Sequence, residues 1–125
     1  MKLELLAEPY AVCTAPRPLE PGPGPLAAAL RDAAGYTWVG PEAAVPEGAT
    51  CRGGWRVLIV EGPLDFGLTG VLAALTAPLA EAGVPVFALS TWATDFLLVP
   101  GVRLEAARAA LTAAGHEVVN SKDAG

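Results

Sequence analysis

An α+β fold, with two helices on one face of an antiparallel sheet, is predicted by three observations on this 125-residue chain. From residue 54 onward, apolar runs of strand length and helically spaced apolar stripes follow the order strand, helix, strand, strand, helix, strand. Glycine stands just after each stripe, in Glu81-Ala82-Gly83-Val84 and Ala113-Ala114-Gly115-His116, where a helix can stop in the left-handed conformation. The apolar fraction, 53%, is enough for a real core, and the length suits one compact unit or two very small ones.

The first strand of that pattern is Trp55 to Val60, Trp-Arg-Val-Leu-Ile-Val, rich in β-branched and aromatic residues. Leu68, Val71, Leu72, Leu75 and Leu79 then mark one face of a helix ending near Ala82-Gly83. Val84 to Ser90 returns to a strand, with Pro85 near its start where a missing N–H is tolerated. A polar turn, Thr91-Trp92-Ala93-Thr94, joins it to Asp95 to Val99, which predicts a hairpin. After Pro100-Gly101, Val102 to Ala114 supplies a second helix with Leu104, Ala107 and Leu111 on one side, and His116 to Val119 is the last strand.

This βαββαβ order is the split-βαβ, ferredoxin-like pattern, in which a four-stranded sheet carries both helices on one face. The first half reads as a weaker version of it: strands at Leu3 to Leu6 and Tyr10 to Thr14, a short helix from Leu26 to Ala34 stopped by Gly35, and strands at Tyr36 to Val39 and Glu42 to Val45. Pro16 to Pro25 is an irregular loop, and Gly48 to Gly54 the expected boundary. Two tandem units are therefore expected, residues 1–53 and 54–125.

Composition narrows the function. The net charge is −5 and the 8 basic residues are scattered, so the phosphate neutralisation that drives nucleic-acid binding has no visible source. No apolar run approaches the length of a membrane span, and Glu4 interrupts any leader-like start; a cytoplasmic location is expected. Cys13 and Cys51 lack metal-site spacing and read as small, buried or half-buried apolar residues. A bridge between them stays open, though a reducing compartment disfavours it. His116, the lone histidine, reads as a surface or edge residue, Trp55 as core, and Trp92 as a pocket wall or an interface anchor. No metal site, cofactor or catalytic group is expected.

Two segments could hold a small ligand. Val60 to Gly70 joins strand to helix through Gly62, Gly67 and Gly70, which permit close backbone approach, and includes Asp65, Phe66 and Thr69. Ser90, Thr91, Thr94 and Asp95 bring hydroxyls and a carboxylate to the hairpin turn. Together they offer donors for an α-carboxylate and acceptors for an ammonium group, the polar ends of an amino acid. Ordinary capping and turn chemistry explains each residue taken singly. Asp65 and Asp95 have no nucleophile or basic partner in sequence that would define an acid–base reaction.

At these residues the chain resembles the ACT-domain family, in the branch related to the CASTOR arginine sensors and the regulatory domains of aspartate kinases. The likeness rests on Trp55 through Gly70, on Leu79-Ala80-Glu81-Ala82-Gly83-Val84-Pro85-Val86-Phe87-Ala88-Leu89-Ser90-Thr91, and on Thr94-Asp95-Phe96-Leu97-Leu98-Val99. It covers Gly54 to Val119 well and the first half loosely. It implies a regulatory module, not an enzyme, that binds an amino acid at an interface between ACT units and is often completed by homodimerisation. Carried over by position, the ligand would meet Gly62, Asp65, Phe66, Gly67 and Thr69 on one side and Ser90, Thr91, Thr94 and Asp95 on the other. Trp92-Ala93 departs from the family's pattern of a tyrosine or phenylalanine followed by a polar or bulky residue, which leaves the ligand's identity open. A structural or interaction module that keeps the architecture without the ligand is the competing expectation.

Overall fold

The computed structural model describes residues 1–61 and 70–121. In chain order the elements are β1 (Lys2–Leu5), β2 (Tyr10–Ala15), β3 (Ala28–Asp32), β4 (Gly35–Pro41), β5 (Thr50–Val60), α1 (Val71–Glu81), β6 (Phe87–Ser90), β7 (Asp95–Pro100), α2 (Leu104–Ala113) and β8 (Glu117–Asn120). They fall into two compact units, one made of Met1–Ala7 with Arg56–Gly125 and the other of Glu8–Trp55.

The larger unit is α+β and ferredoxin-like. Its helical stripes do what their spacing requires: Leu75 and Leu79 of α1 and Ala107 and Leu111 of α2 share one buried cluster with Leu3, Leu5, Leu58, Val60, Leu97 and Val99 of the strands. Because these strand residues alternate along their chains, both helices lie on one face of the sheet. The opposite-parity residues Val57, Phe96 and Leu98 are buried as well. No helix among the described residues is long and apolar enough to cross a membrane.

One strand was not anticipated in this sheet. The neighbour order is β6-β7-β5-β1-β8, so β1 is inserted between the first and last strands of the βαββαβ pattern, and among the described residues this unit has five strands, not four. It pairs antiparallel with β5 (Leu3↔Val60, Leu5↔Leu58) and parallel with β8 (Leu3↔Val118, Leu5↔Asn120). The reason is in its pattern, since Leu3 and Leu5 alternate with Lys2 and Glu4 and place two fully apolar side chains beneath the helices.

The smaller unit has the neighbour order β3-β4-β2-β5. The eight strands among the described residues exceed what one four-stranded sheet uses, in keeping with two units in tandem, but the helix expected from Leu26 to Ala34 is strand β3. It forms a hairpin with β4 from Ala28↔Val39 to Asp32↔Gly35. The Asp32 carboxylate accepts a hydrogen bond from the Ala34 N–H at 2.8 Å, a local turn that competes with helix. Leu26 is 4% exposed and Leu30 48%, although a helix would have put them on one face. The strand expected at Glu42 to Val45 is a 3-10 turn, Glu42–Ala44, that starts after Pro41.

Gly48 to Gly54 is not a loose connection either. Strand β5 begins at Thr50, and its register against β2 shifts between Tyr10↔Trp55 and Val12↔Arg52, a bulge with one extra residue. Gly54 takes φ 77°, and its N–H donates to Glu42 Oε2 at 2.7 Å.

Trp55, expected in the core, is half-buried, and Trp38 is the tryptophan that fills it, at 1% exposure. The Trp38 ring is so close to Gly40 and Gly22 that a Cβ there would lie 2.6 Å and 2.8 Å from it, and its Nε1–H donates to the Glu20 carbonyl at 3.0 Å. That bond ties the Pro16–Pro25 stretch to the sheet. Cys13 and Cys51, read as apolar thiols, form a disulfide, because the ladder sets them directly opposite.

Candidate functional site

Strand β5 ends at Val60, the last described position but one before the glycine-rich segment. The hairpin β6–β7 is fastened to that point. Thr94 Oγ1 donates to the Val60 carbonyl at 2.5 Å, so the Ser90-to-Asp95 turn and the entry to the segment starting at Gly62 lie side by side. Sequence alone gave no measure of that gap. Lys2 and Glu61, 3.7 Å apart, and the Glu61 N–H on the Lys2 carbonyl at 2.9 Å close the same end of the sheet. The ion pair is too exposed to stabilise the fold much.

Within the turn, Ser90↔Asp95 is the last ladder pair. The Thr91 N–H donates to the Thr94 carbonyl at 2.9 Å, and the Thr91 hydroxyl donates to the same carbonyl at 3.1 Å while accepting from the Thr94 N–H at 3.3 Å. Ser90 Oγ donates to Asp95 Oδ1 at 2.5 Å. All three hydroxyls thus spend their protons inside the protein, on a carboxylate or a carbonyl. What they hold in place is Asp95, half-buried, on the sheet face that carries Leu97, Val99 and the helices. An ionised carboxylate accepts only, so this wall suits a cationic group such as an ammonium.

The structure therefore brings Ser90, Thr91, Thr94 and Asp95 together. Gly62, Asp65, Phe66, Gly67 and Thr69 lie outside the described residues. On the far side of that segment, α1 begins after Gly70, with Leu72 and Val71 packed on the core. Trp92, at the tip of the turn, is 84% exposed.

His116 does more than occupy a sheet edge. His116 Nε2–H donates to the Ala74 carbonyl at 3.1 Å, and its Nδ1 faces the Met1 ammonium at 2.9 Å. Pro78 lies inside α1 and has no N–H for the carbonyl four residues before it, which is Ala74. His116 supplies the missing donor. A proline in a helical stripe was the available signal for such a need.

A family model for the ACT domain matches residues 50–113, about half of the chain. The chain belongs to the ACT domain family. No curated protein matches it. Among solved structures, protein Atu0741 from Agobacterium tumefaciens is similar at TM-score 0.88 and 25% identity, covering 96% of this chain and 92% of that one. A protein of unknown function and possible transport protein, VC0802 from Vibrio cholerae, is similar at TM-score 0.67 and 21% identity over 90% of this chain and 88% of its own. The regulatory subunit of aspartate kinase from Thermus thermophilus shares the fold at TM-score 0.61 and 12% identity, covering 90% of this chain and 95% of that subunit. This ACT-domain chain thus has its fold in common with regulatory parts of aspartate kinases.

Proposed function

We propose that this ACT-domain protein is a regulatory module that senses an amino acid, without catalysing a reaction, and works as a homodimer in the cytoplasm. One observation carries the reading: Thr94 fixes the turn holding Asp95 against the end of β5, where the glycine-rich segment begins. Asp95 takes the ligand's ammonium or another cationic group. Ser90, Thr91 and Thr94 position it, and Gly62, Asp65, Phe66, Gly67 and Thr69 form the opposing wall, with backbone donors for the α-carboxylate. The kinship with CASTOR arginine sensors belongs to this proposal, as does the division into ACT-like units at residues 1–53 and 54–125.

A thermal-shift screen against the twenty amino acids tests the reading, because a ligand that binds only the folded chain stabilises it by about 2.7 kcal/mol at a hundredfold excess over its dissociation constant. Asp95→Ala is expected to abolish the shift while circular dichroism stays native. If no amino acid moves the transition, the sensor reading fails. The exposed Trp92 favours the second reading, an interaction module without a ligand. Under it Trp92→Ser would alter self-association while every amino acid remained without effect.

A further inference from the structure

The chain's two cysteines, Cys13 and Cys51, stand opposite each other in the β2–β5 ladder with Cα atoms 4.0 Å apart and their sulfurs bonded. We propose that this pair is a reversible redox clasp on the Glu8–Trp55 unit, opened and closed by a small thiol–disulfide couple such as glutathione.

The ladder holds the pair in register without help from the bond. Thr14↔Thr50 and Val12↔Arg52 flank it on either side, so the two sulfurs stay opposed when reduced. The surroundings accept both states. Cys13 clusters with Ala11 and Trp38, and Leu19, Ala49 and Cys51 pack against them. A reduced cysteine is itself a small apolar side chain, so opening the bond strands no strongly polar group there. Access is unequal, with Cys13 2% exposed and Cys51 only half-buried. Exchange depends on which sulfur an external thiolate can reach, and Cys51 is the less buried residue of the pair.

The chemistry balances with the external couple alone. A thiolate attacks Cys51 Sγ, forms a mixed disulfide and expels Cys13 Sγ as a thiolate, which takes up a proton. A second external thiolate attacks the external sulfur of that mixed disulfide, and Cys51 leaves as a thiolate that is protonated in turn. One protein disulfide and two external thiols become two protein thiols and one external disulfide. Closing is the reverse. The chain has no third cysteine, so an oxidised Cys51 is resolved within the chain by Cys13. Closing links positions 38 residues apart and encloses the Pro16–Pro25 stretch and the β3–β4 hairpin, which limits their local opening.

The test equilibrates the full chain in glutathione buffers of graded ratio, traps thiols by alkylation and counts them by mass. Both thiols are expected to disappear together in one two-electron step, with unchanged far-ultraviolet circular dichroism and complete reversal on adding reductant. Proteolysis between residues 16 and 27 should slow about tenfold on closing, the sign of reduced local opening. Thiols that stay free in the most oxidising buffer, a stable glutathione adduct as the end product, or a bond that yields only after denaturation would each overturn the proposal. In a Cys13→Ala, Cys51→Ala variant the proteolysis rate should ignore the buffer; a rate that still follows it places the switch elsewhere.

Discussion

The larger unit is held by many aliphatic side chains of similar size from β1, β5, β7, α1 and α2, whereas the smaller unit is held by a few unlike anchors: Trp38, Tyr10 and the Cys13–Cys51 bond. A helix-on-sheet layer buries a repeating stripe, so its core is redundant and its periodicity is visible. A small strand-and-turn unit rich in glycine and proline buries too little for that, and depends on single large groups and a covalent tie. The contrast teaches where each unit is fragile. Loss of one leucine leaves neighbours that can partly close the gap, while loss of one anchor in the smaller unit removes what the rest is packed on.

The sharpest way to break this comparison is Trp38→Ala. It empties the space between Gly22 and Gly40 and frees the Glu20 carbonyl, and the expected loss is about 3–5 kcal/mol in chemical denaturation. Leu79→Ala in α1 should cost about 2–3 kcal/mol, the low end for such a truncation, since neighbours in a redundant cluster partly close the gap. Equal losses would show that the two cores do not differ in this respect. Gly40→Ala comes next, at about 1–3 kcal/mol, because the added methyl must displace a fully buried ring with nowhere to go.

The same contrast explains what could be read from the sequence. The two helices, their stops and the hairpin Ser90 to Asp95 were legible because Leu75, Leu79, Ala107 and Leu111 repeat at helical spacing and Asp95 opens an apolar run. Strand β3 was not, since Ala28, Ala29 and Leu30 favour a helix by local propensity, and pairing with β4 overrides it. Likewise β1's insertion beside β8 is a long-range choice that no local pattern in Lys2–Leu5 contains. For the candidate site, the hydroxyls at 90, 91 and 94 were legible as a cluster, but their use was not. These hydroxyls donate to Asp95, Thr94 and Val60, partners that only the folded turn sets beside them. Cys13 and Cys51 are separated by 38 residues, and only the register of two strands reveals them as partners.

Alkaline pH offers a gentler probe of the smaller unit, with Tyr10→Phe as its control. Burial pushes the Tyr10 phenol above its usual value of 10.0, against a smaller lowering by the hydrogen bond from the Leu26 N–H, with a further rise from nearby Glu8. The folded chain therefore holds this proton more tightly than the unfolded chain. The resulting stability is fully present below the unfolded value and is lost as pH rises through the folded one. The melting temperature should fall as pH rises above the phenol's usual value of 10.0. Tyr10→Phe should flatten that fall, and a fall unchanged by the substitution would remove Tyr10 as its source.

The smallest expected effect tests whether the larger unit is as redundant in its polar contacts as in its core. His116 satisfies the Ala74 carbonyl that Pro78 leaves without a helical partner. If that is its role, His116→Ala should cost about 1 kcal/mol, the net worth of one hydrogen bond at a partly exposed position. Pro78→Ala restores the N–H inside α1 and should be stabilising or neutral. In the combined variant the cost of losing His116 should largely vanish, because Ala74 then bonds to residue 78. Denaturant midpoints of the four proteins give the coupling directly. Additive effects would mean that His116 acts through its Nδ1 contact with the Met1 ammonium and not through the helix. Coupling would identify one polar contact in this unit that, like the anchors of the smaller one, has no neighbour able to replace it.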